Sequence, residues 1–168
     1  MHPINEFYLG LRKTELGFDL QALWELKPSV IGDGYFWIPW LFPVNQASKW
    51  NRRAPMLLGE DIVFFKGNVE IQEKYLISFD KIINYFGIYR KGTALFITDE
   101  LKVRNYWLRN IGHEEKKISR IIRSLAWCGH LELARNLQIL ALQLIQEKGY
   151  LKENTLEIWQ GLLDEYQS

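Results

Sequence analysis

Residues 35–43 read Tyr-Phe-Trp-Ile-Pro-Trp-Leu-Phe-Pro. Five of the nine are aromatic, and Ile38 and Leu41 are aliphatic. Fully burying each such side chain contributes about 1.5–3 kcal/mol, so the chain is expected to close around the stretch. Pro39 and Pro43 remove backbone donors and restrict the residues before them, which forbids an ordinary uninterrupted helix. The stretch therefore reads as a short helical turn or irregular plug, driven into a hydrophobic pocket made by later helices.

Outward from the plug, the apolar spacing is helical. Residues 4–10 place Phe7 and Tyr8 on a short helix that Gly10 closes. Thr14 to Leu26 carries Leu16, Leu20, Leu23 and Trp24 as one stripe, stopped by Pro28, and Gly32-Asp33-Gly34 is a turn leading into the plug. After a polar loop over 45–55, a short helix runs through Ile62 to Phe65 with Glu60 and Asp61 in its first turn. Asn68 caps the next helix, whose apolar positions are Ile71, Tyr75, Phe79, Ile82, Ile83 and Phe86, and Gly87 ends it. Strand-like residues 89–98 read as a loop or short hairpin, and a helical segment then runs to Gly112. Glu114 to Cys128 buries Ile118, Ile121, Ile122 and Leu125, with Lys116, Lys117, Arg120 and Arg123 on the opposite side. Gly129 turns the chain into a second helix, Leu131 to Gln146, and a last helix is capped by Asn154 or Thr155. The expectation is an all-α fold: residues 1–168 as a single compact domain of about seven helices with the Trp/Pro plug at its core.

Bulk properties agree with a packed globule. Of 168 residues, 48% are hydrophobic and 14% aromatic, including seven Trp, which excludes a disordered chain. With 21 Lys and Arg against 20 Asp and Glu, net charge by itself names no polyanion partner. One cysteine, Cys128, excludes an intramolecular disulfide, and three histidines without ligand spacing give no metal site. No apolar run approaches bilayer length, and the N-terminus lacks a signal-peptide pattern, so a soluble cytoplasmic protein without a membrane partner is expected.

Trp37 to Pro43, Trp-Ile-Pro-Trp-Leu-Phe-Pro, resembles the Tyr-Ile-Gln-Trp-Leu-Phe-Pro signature of the opioid growth factor receptor conserved region. Further words follow in the family's order. Asn51, Ala54 and Leu57 are similar to its Asn-x-x-Ala-x-x-Leu, Tyr85-Phe86-Gly87 to its Phe-Tyr-Gly, and Arg104-Asn105-Tyr106-Trp107 with Arg109 to its Arg-Ala-x-Asn-Trp and following Arg. His113 with Ile118 to Leu125 is similar to its His-Asn-x-Leu-Arg-Ile-Thr-Arg-Ile-Leu-Lys-Ser-Leu. The likeness spans about residues 5–135. It departs at Pro39, Tyr35 and Glu114, where the family has Gln, His and Asn. The resemblance implies an all-helical region; the receptors that name the family bind an enkephalin peptide and act around the nucleus.

Lys102 to Arg123 holds seven basic and two acidic residues, a net charge of +5 in a chain that is nearly neutral overall. Lys116, Arg120 and Arg123 stand at i, i+4 and i+7, so three cations share a helix face where guanidinium forks could hold a carboxylate or phosphate. The plain alternative is a solvated face with some arginines reaching carboxylates. The plug reads first as core; otherwise Trp37, Trp40 and Trp50 line a cleft for an apolar or cationic ligand. His113, at a helix start, reads as a cap, or as general acid or base in an enzyme. The candidate ligand-binding set is Trp37, Trp40, Trp50, Arg104, Trp107, Arg109, His113, Arg120 and Arg123. The favoured function is a binding module, non-enzymatic and without cofactor, engaging a protein, peptide or anionic ligand. A small-molecule enzyme around His113 and a nucleic-acid binder through residues 102–123 are the alternatives; against the latter, the helix after Gly129 carries Arg135 as its one cation.

Overall fold

The computed structural model describes residues 1–46, 55–103, 113–147 and 153–166. Ten α-helices and one two-stranded sheet lie among the described residues, so the protein is mostly helical, with more and shorter helices than the spacing suggested. Packing divides the chain into two compact units, Met1–Tyr85 and Phe86–Ser168.

In the first unit, α1 (Pro3–Tyr8) starts on a proline that needs no helical donor, and His2 Nδ1 accepts the Ile4 N–H at 3.1 Å. The stripe expected over Thr14–Leu26 is instead the five-residue α2 (Leu20–Trp24), with Leu16 exposed. Thr14 and Phe18 close a loop on themselves, Thr14 N–H to the Phe18 carbonyl at 2.8 Å and Phe18 N–H to Thr14 Oγ1 at 3.2 Å. Gly17 supplies its left-handed turn with φ +87°. A helix can begin only beyond this loop, where Asp19 Oδ1 accepts the Ala22 N–H at 2.8 Å. Pro28 does not stop a helix but opens α3 (Pro28–Asp33), which absorbs the turn expected at 32–34.

The plug is α4 (Ile38–Leu41), one turn with Pro39 in its first positions. Trp37, Ile38, Leu41 and Phe42 are fully buried. Its pocket is lined by α6 (Val69–Tyr85) and also by α1, which precedes it, and α5 (Gly59–Gly67) packs against both through Phe65. Phe7 meets Trp40 with ring centroids 5.2 Å apart, Phe42 meets Tyr75 at 6.1 Å, and Tyr8 meets Phe65 edge-on at 5.4 Å. A chain of buried polar groups crosses this aromatic cluster. Tyr8 Oη donates to the Leu41 carbonyl at 2.7 Å and lies 3.0 Å from Ser78 Oγ, which accepts from Trp24 Nε1 at 2.8 Å. Since a carbonyl only accepts, the one phenolic proton belongs to Leu41 and Ser78 donates to Tyr8. Asn68 caps α6 as expected, its Oδ1 accepting the Ile71 N–H at 3.0 Å.

The second unit opens with Gly87, φ +75°, where a β-carbon would stand 2.8 Å from Leu101 Cβ. Residues 88–97 form an antiparallel hairpin, β1 (Ile88–Lys91) with β2 (Ala94–Ile97), in register Ile88↔Ile97 and Lys91↔Ala94. Gly92, φ +61°, gives its two-residue loop the left-handed geometry that such turns need. Then come α7 (Asp99–Val103), α8 (His113–Trp127), α9 (Leu131–Glu147), α10 (Glu153–Gly161) and a 3₁₀ turn (Asp164–Tyr166). The last helix begins at Glu153, so Asn154 and Thr155 lie within it rather than capping it.

Candidate binding site

The side chains that could meet a ligand sit on α8 and its hairpin with α9. Gly129, φ +99°, turns the chain, and the His130 N–H returns to the Leu125 carbonyl at 2.8 Å, the bond that closes a helix on a left-handed residue. The two helices then pack along each other, and α9 also meets β2, where Asn136 Nδ2 donates to the Thr93 carbonyl at 2.7 Å. Gln138 Nε2 donates to the Trp159 carbonyl of α10 at 2.7 Å.

The apolar face of α8 is as expected: Ile118, Ile121, Ile122, Leu125 and the following Cys128 are fully buried. Its polar face differs. Lys117 is 0% exposed and Arg120 8%, so both lie inside, while Lys116 and Arg123 are exposed. With Ser119 also buried, burial reaches round more of α8 than a single apolar stripe needs. Trp159 of α10 is fully buried against this side, its Nε1 donating to Ser119 Oγ at 3.0 Å. A buried cation is costly unless acceptors surround it, and neither Lys117 nor Arg120 lacks an interaction partner. The expected three-cation face is therefore two exposed ends, Lys116 and Arg123, around a buried guanidinium.

The other candidates fall as follows. Trp37 and Trp40 belong to the first unit and are core. Trp40 Nε1 donates to Glu15 Oε2 at 3.1 Å, whereas Trp37 Nε1 and Asn5 Oδ1 are buried polar atoms without a hydrogen-bond partner. His113 opens α8, and its side chain lies outside the described residues, as do Trp50, Arg104, Trp107 and Arg109. Among the described residues, no group of three or more His, Cys, Asp or Glu gathers to hold a metal ion. No helix among them is long and apolar enough to cross a membrane.

Two groups near the hairpin titrate away from their ordinary range. Burial, and then the Arg90 charge, lower the His130 pKa below 6.5. Burial, then Glu165 and Cys128, raise that of Tyr166. Local spacing in the sequence does not link His130 to Arg90, because the hairpin that carries Arg90 folds back toward α9.

These features define a mostly helical protein built on an aromatic plug and an αα-hairpin carrying buried and exposed cations. The chain belongs to the family described as the opioid growth factor receptor (OGFr) conserved region, which matches residues 19–167. The match starts later and runs further than the motif likeness at about 5–135, taking in α9 and α10. The chain is similar to the opioid growth factor receptor of Mus musculus, 24% identical over 114 residues that cover 66% of this chain and 18% of the mouse protein. It is likewise similar to that of Rattus norvegicus, 24% over 114 residues, 66% and 20%. The Homo sapiens receptor is 26% identical over 116 residues, 66% and 17%. The chain thus matches no more than 20% of the length of these relatives. No solved structure matches it.

Proposed function

We propose that the protein is a non-catalytic binding module whose α8 face engages an acidic peptide or protein segment. The observation that carries this reading is the arrangement of cations on α8. Lys116 and Arg123 are exposed seven residues apart, two helical turns, and Arg120 between them is held almost wholly inside. Carboxylates spaced along an extended or helical partner fit such a row, and a guanidinium already packed loses little freedom on binding. In sequence, Arg104, Trp107, Arg109 and His113 lead directly into α8, and the proposed face includes them. The relatives' name, receptor, is in keeping with a peptide or protein partner. The proposal includes a cytoplasmic location, which fractionation of the native cell tests.

Fluorescence anisotropy with a labelled Asp/Glu-rich peptide and its Asn/Gln counterpart tests the reading. The acidic peptide is expected to bind the parent, and Lys116→Ala with Arg123→Ala to weaken it about tenfold, since exposed cations act without supporting the core. Equal affinity for both peptides, or an unaffected double variant, overturns the reading. Binding to duplex DNA with a steep salt dependence, in place of the peptide, assigns the face to nucleic acid.

A further inference from the structure

A second surface stands apart in chemistry from the α8 cations. The helix α5 buries Ile62 and Phe65 on one side, yet its outward row Glu60, Val63, Phe64 and Gly67, at i, i+3, i+4 and i+7, contains two large apolar side chains. Val63 is 66% exposed and Phe64 41%, and Val69, two residues past the end of the helix, is 72% exposed. Leu58, just before the helix, is also exposed. A helix that is apolar on both sides belongs inside a protein or under a partner.

The charge around these side chains is mostly negative. Residues 58–73 contain Glu60, Asp61, Glu70 and Glu73 against Lys66, a net charge of −3. Glu60, Glu70 and Glu73 are exposed. Lys74, in the next turn, lies 3.8 Å from Glu70 Oε2 and also donates to the Tyr8 carbonyl at 3.1 Å, so it offsets a single acid. We propose that the outward side of α5 and the first turn of α6 form a docking surface for a basic amphipathic protein segment. Its apolar edge covers Val63, Phe64 and Val69 while flanking Lys or Arg side chains meet Glu60, Glu70 and Glu73. An acidic or neutral partner bringing the same apolar edge would gain nothing from this fence, and an acidic one would be repelled. Behind this surface, α5 is anchored by buried Ile62 and Phe65 and by Asn5 Nδ2 donating to the Asp61 carbonyl at 3.2 Å.

The probes are two synthetic helical peptides with the same leucine stripe, one flanked by lysines and one by glutamates, read by fluorescence anisotropy against the full chain. The lysine peptide is expected to bind about tenfold or more tightly than its partner, and Phe64→Ser to weaken it about tenfold. Glu60→Lys with Glu73→Lys is expected to reverse the preference between the peptides. These positions are exposed, so circular dichroism should show each variant folded and helical like the parent. Lys116→Ala with Arg123→Ala leaves this binding unchanged, which separates it from the α8 reading. Absence of binding by either peptide, equal binding, or indifference to Phe64→Ser overturns the proposal. So does a concentration-dependent dimer, seen by light scattering and lost in Phe64→Ser, since that assigns the face to a second copy of the chain.

Discussion

Replacing Tyr8 by Phe removes one oxygen from the middle of a buried polar chain and leaves the ring in place among Phe7, Phe65 and Tyr75. The Leu41 carbonyl then loses the donor that stands 2.7 Å from it, and Ser78 Oγ loses its acceptor at 3.0 Å. A hydrogen bond exchanged for water contributes about 0.5–1.5 kcal/mol, but stranding a buried partner costs about 1–3 kcal/mol. The carbonyl is in the plug, where burial is complete, so the stranding effect dominates and about 2 kcal/mol is expected. Ser78 suffers less, because it still accepts from Trp24 Nε1 at 2.8 Å. Ser78→Ala is accordingly expected to cost about 1 kcal/mol, and the double variant less than the two singles together, since both remove the same contact. Urea unfolding followed by tryptophan fluorescence gives the values, with unchanged slope as the sign that the ensembles are comparable. The melting temperature of Tyr8→Phe should drop by about 4–8 °C. A variant within about 0.5 kcal/mol of the parent, the range of inert surface changes, would refute the reasoning that the hydroxyl holds the plug.

Trp40→Ala removes a nearly buried indole that packs on Phe7 and donates to Glu15, and is expected to cost about 3–5 kcal/mol in the same unfolding assay. Gly87→Ala forces a side chain into φ +75° and places its β-carbon 2.8 Å from Leu101 Cβ, so a loss of at least about 1–3 kcal/mol is expected, seen as an earlier melt. His130 has its folded pKa lowered by burial and Arg90, so the unfolded chain binds its proton first as pH falls. Stability should therefore be constant with respect to this group above the unfolded value of 6.5, decline below it, and level off beneath the folded pKa. His130→Asn should flatten the fall in melting temperature on moving from neutral to mildly acidic buffer.

Local rules made most of the helices legible. Asn68 and Gly87 bound α6, Gly129 turns α8 into α9, and the periodic apolar residues of α6 and α8 are buried. They failed where a loop closes on itself, as at Thr14 to Phe18, because a left-handed glycine and two hydrogen bonds outweigh a weak stripe. They failed again at Pro28, since a proline is compatible with the first turn of a helix as well as with the end of one. Among the cations of α8, the spacing was plain, but the burial of Lys117 and of the candidate Arg120 was not.

What the sequence determined by itself was the class of fold and the identity of the plug. A proline-bounded run of aromatic side chains has no stable place except an interior, whatever surrounds it. What only the tertiary structure decided was which polar groups accompany it inside and which apolar groups stay out. Lys117 and Arg120 of α8 lie inside, while Val63 and Phe64 of α5 and Val69 at the start of α6 stay exposed. Helical periodicity fixes the angle between side chains on one element; which of those angles meets another element is set by packing between segments far apart in the chain.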